Sequence, residues 1–271
     1  MENCVLCQSS KFISIYRQKD WTVIKCSHCG LVRTERKIKP QYEQYHRDED
    51  YQKFESLFRN IFLKRFNIVN KYFRKPGVVL EIGTSTGAML EIFKKRGWDV
   101  WGIEPSRSGD IARRKGVRVI KSIFESAKLS SDFFDLVVIN HTLEHLENPV
   151  LVLSKIKRVL KKGGLVLVDV PNFDSLKSQL LGVNWPYLLP LEHNYQFTRE
   201  SLEKIFKKIG LKTIFFESRS GIFDFAEPFR EVGESLFTFK KRFFTNLFNL
   251  PLDALSTAIN KGDAMSLVGR K

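Results

Sequence analysis

Residues Val78 to Gly87, VVLEIGTSTG, constrain this chain more than any other stretch. An apolar run ends in an acid, Glu81, and breaks at once into a turn with glycines at Gly83 and Gly87. Met89, Leu90, Ile92 and Phe93 follow at helical spacing. The pattern predicts a strand, a tight glycine turn and the opening of a helix, which lets a ligand approach bare backbone above a parallel sheet. The turn is not GxGxxG, because Ser85 stands where a middle glycine would be. Nor is it a phosphate loop, since no Gly-Lys-Ser/Thr follows.

Three further segments follow in order. Trp98–Ile103, WDVWGI, reads as a second strand and ends at Glu104-Pro105-Ser106; an acid there can accept both hydroxyls of a ribose. Phe134–Asn140, FDLVVIN, is a buried strand followed by HTLEHLENP. Lys161–Pro171, KKGGLVLVDVP, reads as a helix end, a glycine stop and another strand. Together these segments resemble the class I S-adenosylmethionine (SAM)-dependent methyltransferases over roughly residues 75–220, plus the last strand.

The resemblance implies an α/β fold: a Rossmann-like, seven-stranded, mostly parallel sheet whose seventh strand, AMSLVGR at 264–270, runs antiparallel. Strands are expected to begin near Val78, Asp99, Arg118, Asp135, Leu165, Lys212 and Met265, with helices between most of them. By the same resemblance Glu81, Gly83, Thr84 and Gly87 face the methionine part of SAM, and Glu104, with Pro105 beside it, takes the ribose. Phe124 lies on the adenine side, and Asn140 and His141 sit beneath the sulfonium.

All four cysteines fall in the first thirty residues, as Cys4-x-x-Cys7 and Cys26-x-x-Cys29. Each pair can aim two thiolates at one ion, and four sulfurs suit structural zinc. The intervening FISIYRQ and WTVIKC read as two strands, making a zinc ribbon. Two disulfides or redox thiols are the alternatives; both fit poorly with paired knuckles in a chain whose start, MENCVLCQSS, lacks the character of a signal peptide. His28, inside the second knuckle, reads as a neighbour of the metal rather than a ligand.

The expected organisation is a ribbon at 1–34, a linker and leading helix at 35–74, and the SAM-dependent domain at 75–271 with a helical insertion at 221–261. The leading helix is expected over Tyr51–Phe73, where Phe54, Leu57, Phe58, Ile61, Phe62, Phe66, Val69 and Phe73 recur at helical spacing. In the insertion, Phe229, Val232, Leu236, Phe239, Phe243, Leu247 and Leu250 form a stripe interrupted by Lys240, Lys241 and Arg242. Such a basic, aromatic helix suits a lid, a dimer contact or, through residues 227–250, the surface of a membrane. No apolar run reaches the length of a membrane span, so the protein is expected in the cytoplasm, with peripheral membrane contact as the alternative.

Methyl transfer to an O–H or C–H acceptor needs alignment and a proton acceptor. The candidates are His141 and His145 in HTLEHL, and His193 in PLEHNYQFT. His193 is offered as the general base, on the premise that its imidazole has an ordinary pKa, the alternative being that Glu192-His193 only pins the loop; for His141 and His145 the alternative is a structural or cofactor-side role. Its segment, PNFDSL…NWPYLLPLEHNYQFTRESL, resembles methyltransferases found among cell-surface polysaccharide and glycan biosynthesis enzymes, which implies a sugar hydroxyl or carbon as acceptor, nucleotide- or lipid-linked. The 45 basic against 30 acidic residues, net +15, leave open a second function as a ribosomal or transfer RNA base methyltransferase. Against it, Asn/Asp-Pro-Pro-Tyr is missing after the fourth strand, and no cysteine is left over as a nucleophile. A third possibility is a non-catalytic SAM-binding or scaffold protein. The oligomeric state is not legible.

Overall fold

The computed structural model describes residues 2–37, 55–238 and 240–271. The expected start of the leading helix at Tyr51–Phe54, the connector from residue 38 and the stripe position Phe239 lie outside the described residues.

Seven strands form the main sheet: β4 (Val78–Ile82), β5 (Asp99–Ile103), β6 (Arg118–Ile120), β7 (Phe134–Asn140), β8 (Leu160–Pro171), β10 (Lys212–Arg219) and β11 (Ala264–Arg270). Their order is β10-β11-β8-β7-β4-β5-β6. β11 runs antiparallel to both of its neighbours, and the pairs from β8 through β7, β4 and β5 to β6 are parallel. The expected sheet is thus present, with the chain reversing its direction of growth between β4 and β7. That switch point is where a ligand crevice opens beyond the carboxyl ends of the strands.

Helices cover both faces, which is why β4 and β7 are apolar at nearly every position. On one face Val79, Leu136 and Val138 pack with Phe62, Phe66 and Val69 of α1 (Glu55–Asn70) and Met89, Leu90 and Phe93 of α2 (Ala88–Lys94). On the other, Leu80, Val137 and Ile139 meet Leu153 and Ile156 of α4 (Pro149–Val159) and Leu202 and Phe206 of α6 (Arg199–Ile209). α3 (Ser108–Arg114) follows β5, and α5 (Leu176–Leu181) follows β8. Local sequence sets these ends. Asn148 caps α4 by accepting from Leu151 N–H, and Thr198 and Ser201 form a capping box on α6, which stops at left-handed Gly210.

One expected boundary is corrected. Gly163 and Gly164 do not separate a helix from a strand: β8 begins at Leu160 and runs through both. The pair sits at an irregularity in pairing, where Phe134 faces Leu160 but Leu136 faces Leu165, so the glycines absorb the extra residues on β8.

The amino-terminal module has three strands rather than two: β1 (Phe12–Arg17), β2 (Trp21–Cys26) and β3 (Val32–Arg36), all antiparallel. A fourth strand, β9 (Tyr195–Gln196), comes from the far side of the chain and pairs with β3, Val32 facing Gln196 and Arg33 facing Tyr195. Ribbon residues Cys4, Leu6, Cys26, Cys29 and Leu31 share one continuous core with Tyr195, Phe197 and Leu202.

The insertion is helical as expected: a short turn at Gly221–Asp224, then α7 (Pro228–Thr238) and α8 (Lys240–Ala258). Its apolar stripe is not a single buried face. Phe229 and Phe248 are 88% and 87% exposed, and Phe244 and Leu247 also face outward. Among the described residues no helix is long and apolar enough to cross a membrane.

Candidate active site and cysteine centre

The two knuckles repeat one geometry. Gln8 N–H donates to Cys4 C=O at 2.8 Å and Gly30 N–H to Cys26 C=O at 3.0 Å, with Gln8 and Gly30 both left-handed at φ 63° and 81°. This turn points both thiols of each pair to one centre. Cys4 Sγ lies 3.5 Å from Cys29 Sγ, Cys7 Sγ 3.5 Å from Cys26 Sγ, and all four sulfurs fall within 4.8 Å of one another. No disulfide joins them, and the arrangement fits a tetrahedral ion with metal–sulfur bonds of about 2.3 Å. Burial raises the Cys26 pKa, but the backbone N–H groups of Cys29 and His28 and the neighbouring thiols outweigh it and bring the thiol down to about 7. His28 is exposed at the rim.

The glycine turn after β4 carries the residues expected on the cofactor side. Gly83 has φ 74°, and a Cβ there would lie 2.6 Å from Thr142 Oγ1; Gly87 also has φ 74°, and its Cβ would lie 2.9 Å from that of Ala112. Both positions therefore require glycine. Between them Ser85 is itself left-handed at φ 44°, and its N–H donates to Glu104 Oε2 at 2.9 Å. Ser106 N–H donates to Glu104 Oε1 at 3.0 Å, so the buried carboxylate is aimed from β5 across the turn, each oxygen keeping a lone pair. Glu81 is buried and accepts from Thr84 Oγ1 at 2.9 Å; burial, reinforced by Glu104, pushes its pKa up to about 8. Asn140, at the end of β7, has a buried Oδ1 without a hydrogen-bond partner. A glycine cradle, an aimed carboxylate and an orphaned acceptor along one edge fit the amino-acid and ribose parts of SAM.

Pro105 is half-buried beside Glu104. Phe124 is the residue expected on the adenine side. Its ring is buried in the core next to Ile103 and Ala127, with Lys155 Nζ 4.9 Å from its centroid. Lys155 also donates to the carbonyls of Phe124, Glu125 and Ala127, which fixes the backbone of this turn.

The three candidate histidines converge on one acid. Glu144 is 1% exposed, and neither of its oxygens accepts a hydrogen bond; the His141 Nδ1 approaches Oε1 to 3.5 Å. Burial opposes ionisation of Glu144, but His141, His145 and His193 around it hold its pKa below the usual range. Glu144 and one ligand atom each of His145 and His193 fall within 4.8 Å of one another, and the two rings meet edge to face at 4.7 Å.

Their environments differ. His141 follows β7 in a left-handed conformation, φ 46°, with its side chain 33% exposed and Nε2 3.6 Å from Asp169 Oδ1. Burial disfavours its charge, yet Glu144 and Asp169 outweigh this and raise its pKa. His193 is 3% exposed and its Nδ1 has no partner. Desolvation, added to by His145 and His141, lowers its pKa to about 3 despite Glu144. The premise of an ordinary imidazole at His193 is thus corrected: the segment carrying it is closed down rather than open to solvent.

A buried ionic network beneath this site was not foreseen. Asp169, fully buried on β8, accepts from Arg65 Nη2 at 2.9 Å, Arg219 Nη2 at 2.5 Å and Ser266 Oγ. Asp224 takes Arg65 Nη1 at 2.6 Å and Arg219 Nε at 2.7 Å. The available signals were an acid inside the apolar run LVLVDVP and an arginine inside the apolar stripe of α1.

The profile of a family described as a methyltransferase domain matches residues 47–214. The chain is 30% identical over 168 residues to an uncharacterized protein of Methanocaldococcus jannaschii, covering 61% of this chain and 79% of that one. It is 27% identical over 203 residues to the C-methyltransferase NovU of Streptomyces niveus, covering 71% of this chain and 46% of NovU, so that it spans about half the length of that relative. Among solved structures it resembles a SAM-dependent methyltransferase of Thermotoga maritima, described as a possible histamine N-methyltransferase (TM-score 0.56, 23% identity, 82% of this chain and 95% of that one). It also resembles the 1,6-didemethyltoxoflavin N1-methyltransferase of Burkholderia thailandensis, solved with S-adenosylhomocysteine (TM-score 0.54, 13% identity, 95% and 98%). At these identities the structural likeness speaks for the fold alone, while the family profile covers more than half of the chain. With the glycine cradle, Glu104 and the sheet order in place, the chain belongs to the methyltransferase-domain family and is a SAM-dependent methyltransferase.

Proposed function

We propose that this enzyme methylates an oxygen or carbon of a small, sugar-type acceptor, with His141 as the proton acceptor and one zinc ion on the four cysteines. The observation that carries the proposal is the buried Glu144 with His141, His145 and His193 gathered around it at the carboxyl edge of β7. When bound, SAM supplies a methyl group activated on a sulfonium. Glu81, Gly83, Thr84, Gly87, Glu104 and Asn140 would hold it, with the backbone around Phe124 on the adenine side.

The other tasks belong to the chain. His141 sits at the end of β7 beside Asn140 and keeps a third of its side chain exposed, so it can reach an acceptor proton. Glu144 and Asp169 then stabilise the imidazolium that forms. His193, held neutral, and His145 form the dry wall behind Glu144 and exclude water from it. The name of NovU favours a carbon acceptor among the two atoms. The outward aromatic residues of α7 and α8 support an acceptor carried on a lipid.

The test is the pH profile of kcat/KM, with nucleotide-linked and lipid-linked sugars offered as acceptors. A base with a raised pKa puts the acid limb above about 6.5, because activity is lost as pH falls through that value. His141→Gln should lower turnover by about a hundredfold. A limb near pH 3 would return the role to His193. Methylation of RNA with steep salt dependence, and none of sugars, would replace the acceptor class.

A further inference from the structure

The ribbon is more than an appendage, because one residue ties it to the histidines. We propose that Asn194 is a positioning residue that joins the outer edge of the cysteine-bound ribbon to the histidine cluster, so that a filled four-thiol site holds the His193 segment closed over Glu144. This rests on the proton-handling role given above to that cluster and on zinc at the cysteines.

Asn194 bonds in three directions. Its carbonyl accepts from Thr34 N–H of β3 at 2.9 Å, its own N–H donates to Glu144 C=O at 2.8 Å, and its Nδ2 donates to His145 C=O at 2.6 Å. One residue thereby spans ribbon, Glu144 and His145, and His193 precedes it directly in the chain. The segment before it is held the same way. Arg36 Nε of β3 donates to Pro190 C=O at 2.7 Å, and Trp185 and Leu188 pack on Val23 and Val32 of the ribbon. Between α5 and β9 only a short helical turn at Gly182–Asn184 is regular, so the ribbon rather than the main sheet gives this stretch its shape.

The ribbon in turn depends on its thiols. Its three strands are five or six residues long, and Cys4, Cys26 and Cys29 are themselves part of its core. Metal binding to such a set contributes folding energy directly. The knuckles are also tied to α6: Lys204 Nζ donates to Cys29 C=O at 2.9 Å and Lys208 Nζ to Leu6 C=O. Loss of the metal should therefore loosen β3, release β9 and expose His193, while β4, β5 and β7 keep the cofactor edge.

The experiment uses the full chain, zinc-loaded and zinc-stripped, together with Asn194→Ala and Thr34→Pro in the loaded state. Thr34 N–H points at Asn194 rather than at β2, so proline there breaks the seam and leaves the β2–β3 pairing intact. Amide exchange of residues 189–197 should accelerate at least tenfold on stripping and in Thr34→Pro, and less in Asn194→Ala, which loses only the Nδ2 bond to His145 C=O and keeps both main-chain bonds. The NMR titration of His193 should move from far below the ordinary range toward about 6.5. S-adenosylhomocysteine affinity should stay within twofold of the loaded wild type. Faster exchange confined to residues 2–37 on stripping, or an unchanged His193 titration in Asn194→Ala, overturns the proposal. Full turnover by His141→Gln would sink the proton-handling role instead and leave these readouts standing.

Discussion

Asp169→Asn should be among the most damaging single changes in this protein, although the new side chain has nearly the same shape. The carboxylate is fully buried and binds two arginines that are themselves 0% and 1% exposed. Burial alone would raise the pKa of Asp169; Arg65 and Arg219, with smaller help from His141 and Ser266, more than reverse this and hold it well below the usual carboxylate range. An amide can accept from only one of the arginines and turns an NH2 group toward another donor. Asp224 still accepts from Arg65 Nη1 and Nη2 and from Arg219 Nε, so the damage falls mainly on Arg219 Nη2 and on the balance of charge around the two guanidiniums. Leaving buried charge uncompensated in this way costs about 3–5 kcal/mol. Against a typical total of about 5–15 kcal/mol, that ranges from about a fifth of the stability to all of it.

Urea titration at pH 7 gives the loss directly, provided the slope of the transition is unchanged. The pH dependence gives an independent check. A depressed folded pKa contributes stability that is present above the unfolded value, about 3.9, and is lost as pH falls below it. At about 1.4 kcal/mol per pH unit, the wild type should lose about 1 kcal/mol between pH 5 and pH 3 that the variant does not lose. A penalty under about 1 kcal/mol at pH 7 would refute the view of Asp169 as the anion holding two buried cations together.

Three further outcomes follow from the site. Glu104→Ala should weaken SAM by about 2 kcal/mol or more in calorimetry, the scale of hydrogen bonds to a charged acceptor, and unchanged affinity would remove Glu104 from the cofactor site. Elemental analysis of reduced protein should find one zinc per chain, and none after Cys4→Ser with Cys29→Ser; zinc retained by that variant would place the metal elsewhere. Glu81→Gln should raise Tm at pH 8 more than at pH 5. The folded Glu81 pKa is raised to about 8, so its contribution is complete below the unfolded value of about 4.3 and lost as pH rises through 8. Equal shifts at both pH values would contradict that.

The strand–turn–helix geometry after β4 was legible, because its determinants lie within a few residues of one another. Val78–Gly87 specifies a strand, two left-handed positions and a helix without help from the rest of the chain, and Glu104 sits at the end of the next strand. Cys4, Cys7, Cys26 and Cys29 were legible for the same reason: each knuckle is a four-residue turn with its own hydrogen bond. The third ribbon strand was harder to see, since Val32–Arg36, VRTER, is mostly polar and charged and becomes a strand by pairing on both edges.

His193 shows where such reasoning stops. Its sequence neighbourhood, PLEHNYQFT, describes a polar histidine in a loop, and polar loop histidines titrate near their ordinary value. The groups that change this come from elsewhere in the chain: Glu144, His145 and His141 from the turn after β7, and β3 from the ribbon. The pairing that closes the segment joins residues more than 150 positions apart, Val32 with Gln196, and no periodicity within either segment encodes it. The same closure gives the two histidines opposite surroundings. The one placed on an exposed loop by its sequence loses its affinity for protons, and the one at the end of a buried strand, His141, keeps solvent on one side and two carboxylates on the other. A proton acceptor needs both accessibility and a counter-charge; in this fold the sheet edge supplies them and the loop does not.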